Sequence, residues 1–367
     1  MHKFLVTLTA GTLLCLISPA LAQTASTESA DLPALIADDG DRESLLAALT
    51  NSRNFLNQAP KGVVTLGNIQ VSVEQLKTTL ANFEELVRTV WGQPEFEKAV
   101  RENFMWLPMP IKDGSQGVHI TGYYLPLIEA RAEPDEVFRY PLYAPPPDMI
   151  PIDLGAFRPS LAGQVAMGRI KNGRLIPYFT RKEIDDGQAL SGRGLEIAWV
   201  SDHHARADLM IQGSGALRFS DGRVVNIGYA AQNGHIFLAG DQKQNPSYVF
   251  FRLGTEGATG CDGVPLVGGR AIATDKRLFP TGTLAFIHYP KAKVDVRGAV
   301  SGSTQGSRFV LDQDTGGAIT GPGRVDLFLG GGPEAARQAH GLNGVGKVWF
   351  LLPKPPRVAS EAPSSSP

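Results

Sequence analysis

The sequence predicts a mainly β protein with some α-helix, and three observations predict it. From about residue 118 onward, short apolar runs are split by Gly, Pro and Asp, the texture of strands joined by turns. Ahead of them lie two stretches with apolar residues at steps of three and four, the period of a helix. The 41 Gly and 26 Pro in 367 residues add many turns.

The elements follow in order. His2 and Lys3 give a basic start, Phe4 to Ile17 is mostly apolar, and Ala20-Leu21-Ala22 is a small-residue cleavage pattern, so residues 1–22 are expected to be a signal peptide. The apolar run is short for a bilayer span, and Leu14 is too large for the position before a lipid-bearing Cys15. Residues 23–40 read as a flexible leader. Residues 41–117 form an N-terminal helical part. In it, 42–57 carry Leu45, Leu46, Leu49 and Phe55, and a second helix carries Val73, Leu76, Leu80, Phe83, Val87 and Val90, opened by a Ser72/Gln75 capping box.

Residues 118–262 read as a first β region. Its strands are Val118–Tyr124, Glu196–Val200, Leu209–Ile211, Val224–Tyr229 and Val249–Leu253, with a turn at Ser220-Asp221-Gly222. Residues 263–353 form a second β series with strands at Thr283–His288, Arg308–Leu311, Val325–Leu329 and Val348–Leu352, and a helical turn at Pro333–Gln338. The Pro/Ser-rich tail, 354–367, is expected to be disordered.

Composition narrows the function. Hydrophobic residues at 43% and charged residues at 19% predict a folded body. A net charge of −1 argues against nucleic acid as a partner, which calls for a basic excess. Cleavage after Ala22 leaves one cysteine, Cys261, so no internal disulfide forms; a buried small hydrophobe is the preferred reading over a nucleophile. No metal-binding spacing and no phosphate loop occur, so no metal site and no cofactor are implied.

The chemistry concentrates between Leu311 and Phe328, where glycines cluster beside Asp312, Asp314 and Asp326. Asp beside Gly is ordinary turn chemistry, and Asp314 before Thr315-Gly316 suits that account. Asp326 suits it poorly. It stands between Val325 and Leu327 and leaves its strand on the face opposite them. A carboxyl beside apolar surface has its pKa raised by desolvation, as a general acid for glycosidic cleavage requires.

The same stretch, together with Arg270-Ala271-Ile272-Ala273-Thr274-Asp275 and Phe279-Pro280-Thr281-Gly282-Thr283, resembles the 3D domain, named for three aspartates, here Asp275, Asp314 and Asp326. Upstream, Thr121-Gly122-Tyr123-Tyr124-Leu125-Pro126-Leu127-Ile128-Glu129-Ala130-Arg131, Gln212-Gly213-Ser214-Gly215, Asn233-Gly234-His235 and Gln244-Asn245-Pro246-Ser247-Tyr248 resemble, in order, the blocks of the membrane-bound lytic transglycosylase A family. The resemblance implies a double-psi β-barrel built from the N-terminal helices and the 3D region, with a second β-barrel inserted.

It further implies a lytic transglycosylase that cleaves between N-acetylmuramic acid and N-acetylglucosamine, with Asp326 as the single acid and then base, and Asp314 beside it. Thr121, Tyr123, Tyr124, Gln212, Ser214 and Asp275 are the implied substrate-binding residues. Tyr123 and Tyr124 face opposite ways along one strand, so one of them at most reaches substrate. For Gln212 and Ser214 a structural turn is as good a reading as a contact, and for His235 a structural hydrogen bond is the better one. The competing readings are an inverting hydrolase on the same barrel, with Asp275 or Asp314 activating water, and a non-catalytic glycan-binding protein.

Two departures from the pattern stand out. Only Ile236 to Gln244 joins blocks that relatives separate by a helical segment, and the lipid-attachment signal is missing. The expected location is therefore the periplasm, with association with the outer membrane. Peptidoglycan glycan strands are the expected partner, with wall-synthesis and division proteins beside them, and the expected state is a monomer.

Overall fold

The computed structural model describes residues 32–355 apart from 239–243, 255–256 and 296–297. The expected signal peptide, the first half of the leader, most of the tail, and the middle of the Ile236–Gln244 link lie outside the described residues. A division falls at Leu35, and every described helix and strand belongs to the unit that begins there.

Helix α1 (Arg42–Gln58) starts where the Asp41 carboxylate accepts the Ser44 N–H, and it buries Leu45, Leu49 and Leu56 on one face. A hairpin of β1 (Val63–Leu66) and β2 (Ile69–Ser72) follows. Helix α2 (Val73–Thr89) carries the Ser72/Gln75 capping box and buries Val73, Leu76, Leu80, Phe83 and Val87, the stripe its spacing predicts. Next come α3 (Pro94–Asn103) and β3 (Phe104–Pro108). The hairpin and α3 carry no periodic signal in the sequence. The hairpin strands are four residues each, and α3 buries only Phe96 and Val100, so neither shows a long apolar period.

After β4 (Val118–Leu125) the chain enters an insertion. It contains β5 (Leu127–Arg131), β6 (Tyr140–Tyr143), β7 (Ile150–Asp153), β8 (Val165–Lys171), β9 (Arg174–Pro177), α4 (Arg181–Asp185), β10 (Glu196–Val200), α5 (His203–Gln212), β11 (Ser214–Arg218), β12 (Val224–Gln232) and β13 (Val249–Leu253). The chain then returns through β14 (Ala271–Ala273), β15 (Thr283–Val294), β16 (Val300–Asp314), β17 (Arg324–Gly331), α6 (Gly332–Gly341) and β18 (Asn343–Pro353).

The returning strands and β4 make a closed barrel. Its order is β15-β16-β14-β17-β4-β18, and β18 pairs back onto β15; β3 adds to the outside of β18. The pairs β14–β16 and β17–β4 are parallel, while the other pairs in the ring are antiparallel. The three N-terminal helices cover the barrel. Phe83 of α2 packs on Phe309 with ring centroids 4.6 Å apart, and Phe309 on Phe286 at 4.7 Å. Phe83 is fully buried, so truncating it to Ala would cost about 3–5 kcal/mol.

In the insertion, strands order as β13-β12-β11-β5-β10-β6, and the edges β13 and β6 approach each other around a core that includes Leu142, Ala198, Leu217, Phe250 and Tyr248. A small sheet, β7-β8-β9, stands beside it.

Three sequence expectations need correction. Leu209–Ile211 is not a strand but the last turn of α5, which Gly213 stops at φ 73°, a left-handed cap. The insertion begins after β4 rather than at residue 118, because β4 pairs with β17 and β18 of the closed barrel. The leader is pinned at its end. Ile36 is buried, Asp38 pairs with the buried Arg270 at 2.7 Å, and Asp39 pairs with Arg308 at 2.7 Å. Arg270 also donates to the Asp41 carbonyl and the Ser44 hydroxyl, tying the start of α1 to the barrel.

Candidate active site

The barrel register brings the acid candidates into one row. Thr121 on β4 lies opposite Asp326 on β17, Asp326 lies opposite Ala273 on β14, and Ala273 lies opposite Asp314 on β16. Residues opposite one another on paired strands share a face. Val325 and Leu327 are fully buried in the core, so this row faces away from it. An irregularity in β16 brings Asp314, rather than Gln313, opposite Ala273. Gln313 instead reaches α1, donating to the Ala48 carbonyl and the Ser52 hydroxyl.

Each acid receives a hydroxyl from β4. Thr121 Oγ1 donates to Asp326 Oδ1 at 2.7 Å, and Tyr123 Oη donates to Asp314 Oδ2 at 2.7 Å. Positions 121 and 123 are two apart on one strand and therefore share a face. The Tyr123 ring is held against Phe328, centroids 5.1 Å apart. The other Asp314 oxygen accepts the backbone N–H of Thr315 at 2.8 Å and of Cys261 at 3.0 Å.

Burial pushes the Asp326 carboxyl up to about 6; the Asp314 charge adds to this, while the Thr121 hydrogen bond and Arg324 oppose it. Burial also raises Asp314, against the pull of its three donors and of Lys276. A third aspartate, Asp312, is fully buried with Thr274 and Lys276 around it, and burial raises it to about 6. It belongs to the barrel interior and not to the row.

The remaining candidates fall elsewhere. Tyr124 points away from Tyr123, donates to Asp208 at 2.7 Å and packs on His340, on the side of β4 away from the acid row. Gln212 accepts the Tyr124 N–H at 3.0 Å and braces β4, and Ser214 is buried at the start of β11. A Cβ at Gly215 beside it would lie 2.2 Å from Leu209 Cδ2, so that side chain would have to shift. The Gln-Gly-Ser-Gly block thus stops α5 and packs closely against Leu209. Asp275 is held by Arg277 and accepts the Gly321 N–H at 2.7 Å, which lowers it to about 2. It anchors the loop before β17. His235 makes a 2.8 Å hydrogen bond with the Tyr178 carbonyl.

Cys261 corrects an expectation. It is exposed, not a buried hydrophobe, and its backbone supports Asp314. Local desolvation pushes its thiol up to about 12, so it is no thiolate nucleophile at neutral pH. The small size of Ala273, opposite both acids, was a signal in the sequence that only the register makes readable.

The closed barrel with an inserted barrel, carrying a desolvated acid on its outer face, defines a two-barrel protein. The model of the MltA specific insert domain matches residues 119–240, and that of the 3D domain matches residues 270–352. Membrane-bound lytic murein transglycosylase A of Escherichia coli (strain K12) is 30% identical over 279 residues, covering 66% of this chain and 68% of the relative. The chain belongs to the membrane-bound lytic murein transglycosylase A family. The crystal structure of a membrane-bound lytic murein transglycosylase from Agrobacterium tumefaciens superposes with a TM-score of 0.66 at 29% identity, covering 85% of this chain and 93% of that one. That of E. coli MltA with bound chitohexaose shares the fold, with a TM-score of 0.65 at 24% identity over 88% and 93% of the two chains. The double-psi barrel with its inserted barrel is therefore the fold of this chain.

Proposed function

We propose that this protein is a peptidoglycan lytic transglycosylase in which Asp326 is the general acid and then the base. The observation that carries the residue assignment is the position of Asp326: on the outer face of the barrel, desolvated, with a carboxyl raised to about 6. The family of murein transglycosylases supplies the substrate class. In its protonated form Asp326 donates to the oxygen joining N-acetylmuramic acid to N-acetylglucosamine, and the C1–O bond breaks. The resulting carboxylate takes the proton of the muramoyl C6 hydroxyl, whose oxygen closes on C1 to a 1,6-anhydro ring. The attacking hydroxyl is part of the substrate, so positioning replaces an activated water.

Thr121 steadies the carboxyl through its hydrogen bond. Asp314, held by Tyr123, Thr315 and Cys261, raises the proton affinity of Asp326 by like charge. Three donors already converge on Asp314, which suits it to this supporting role better than to a base for an inverting hydrolase. Peptidoglycan lies outside the cytoplasmic membrane, so the substrate requires export to the periplasm.

Mass spectrometry of sacculi digested by wild type and by Asp326→Asn tests the reading. The expected wild-type product carries anhydromuramoyl ends, and the variant releases almost none. Reducing muramoyl ends would replace the transglycosylase with a hydrolase, and full activity in Asp326→Asn would move the acid elsewhere.

A further inference from the structure

A cavity of about 740 Å3 lies on the inserted barrel between β6, β10, α4 and α5, and it shares no residue with the acid row. Its charge is unbalanced. Arg139, Arg181, Lys182 and Arg206 line it against two carboxylates, Asp185 and Asp186. Lys182 pairs with Asp186 at the surface, and Arg206 pairs with Asp185 at 2.7 Å. Arg139 and Arg181 make no ion pair among the described residues.

The imbalance is greatest in the interior. Arg181 and Arg206 are each 6% exposed. Among the described residues the Arg181 guanidinium donates to the Asn245 carbonyl and, through Nη1, to the Met210 sulfur. The Arg206 Nε has no acceptor among the described residues, and neither does the hydroxyl of Tyr248, over which both guanidiniums lie. Two buried guanidiniums thus face one half-buried carboxylate, Asp185, whose Oδ1 lacks a donor among the described residues and whose proton affinity burial raises despite both arginines. A buried cation without a counter-ion is costly, and a planar guanidinium fork matches a carboxylate. Tyr140, Tyr143 and Trp199 add aromatic wall, which suits a ligand with an organic body better than a bare inorganic anion.

We propose that this cavity is a second binding site, for the free carboxylate of a peptide stem of the cell wall, seated on Arg181 and Arg206 with its body on the aromatic wall. The proposal rests on the wall-glycan reading for the identity of the ligand, but not on Asp326. A single protein would then hold the glycan at one barrel and the stem at the other.

The test is equilibrium binding to the full chain, read by Trp199 fluorescence and by calorimetry. The probes are N-acetyl-D-alanyl-D-alanine, its C-terminal amide, acetate and inorganic phosphate. Saturable binding of the peptide is expected, at least about tenfold weaker for the amide. The fluorescence change disappears in Trp199→Phe. Arg181→Met, checked for a wild-type melting profile, weakens binding at least about tenfold; should it fail to fold, the surface variant Arg139→Ala carries the same test with a smaller loss. Asp326→Asn binds like wild type, which separates this outcome from that of the catalytic assignment. No saturable binding, equal binding of the amide, or acetate or phosphate binding as tightly as the peptide would overturn the proposal.

Discussion

Thr121 and Asp326 stand opposite one another on the parallel strands β4 and β17, and the threonine hydroxyl donates to the aspartate Oδ1 over 2.7 Å. Two opposed effects therefore meet at one carboxyl. The hydrogen bond favours the ion and burial favours the acid; burial is the larger, leaving the group at about 6. An acid at that value keeps a protonated fraction near neutral pH and returns as a competent base, so one residue can serve both halves of the reaction.

The pH profile reads this balance directly. With Asp326 as the acid, kcat/KM falls as pH rises through about 6, approaching tenfold per unit. Neutralising the like charge in Asp314→Asn moves that limb to lower pH. Removing the opposing cation in Arg324→Gln moves it to higher pH. Initial rates on purified sacculi across pH 4 to 9 check both directions, and a limb that ignores both substitutions would detach it from Asp326.

Stability carries the same signature with a defined sign. The folded carboxyl binds its proton more tightly than the unfolded one, whose ordinary value is 3.8. The cost of burying the ion is absent well below pH 4, grows between about 4 and 6, and is complete above. Asp326→Asn avoids that cost while keeping an acceptor for Thr121. The variant is expected to gain about 1–3 kcal/mol over wild type at pH 8 and almost nothing at pH 3.5. Thermal melts at the two pH values decide it. Activity in the same variant falls about 10²–10⁴-fold.

Adjacent tyrosines give a paired control. Tyr123 supports Asp314 and Tyr124 supports Asp208, on opposite sides of β4. Each Phe substitution deletes one hydroxyl and costs about 0.5–3 kcal/mol of stability. Only Tyr123→Phe is expected to lower kcat/KM, by about tenfold, equivalent to about 1.4 kcal/mol of positioning. Tyr124→Phe stays within about twofold. Equal kinetic losses in both variants would show that the effect is structural and not specific to the acid row.

These residues differ in how far the sequence alone makes them legible. Alternation alone puts Asp326 opposite Val325 and Leu327, and it separates Tyr123 from Tyr124, because period two is a property of any strand. It did not reveal that Thr121 faces Asp326, since that contact joins positions 205 apart and depends on the parallel register of β4 with β17. The strand read at Leu209–Ile211 shows the opposite failure. Three consecutive apolar residues carry no period, and the decisive sign was the left-handed Gly213 just beyond. Asp275 resembled the other two aspartates by family pattern, yet Arg277, two residues on, claims its carboxylate.

Gly260 sets the last expectation. Its neighbour Cys261 supplies the N–H that holds Asp314, and a Cβ at position 260 would lie 2.0 Å from the Gln313 carbonyl oxygen. That contact is with backbone of the very strand that carries Asp314, so no side-chain rotation relieves it. Gly260→Ala must push the two segments apart, at a cost of about 1–3 kcal/mol. The shift lengthens the Cys261-to-Asp314 hydrogen bond, which lowers the Asp314 proton affinity when intact. Asp314 then holds its proton to higher pH, its charge weighs less on Asp326, and the kcat/KM limb moves down in the same direction as in Asp314→Asn. A variant that melts earlier yet keeps the wild-type pH limb would show that the Cys261 N–H does not tune the acid pair.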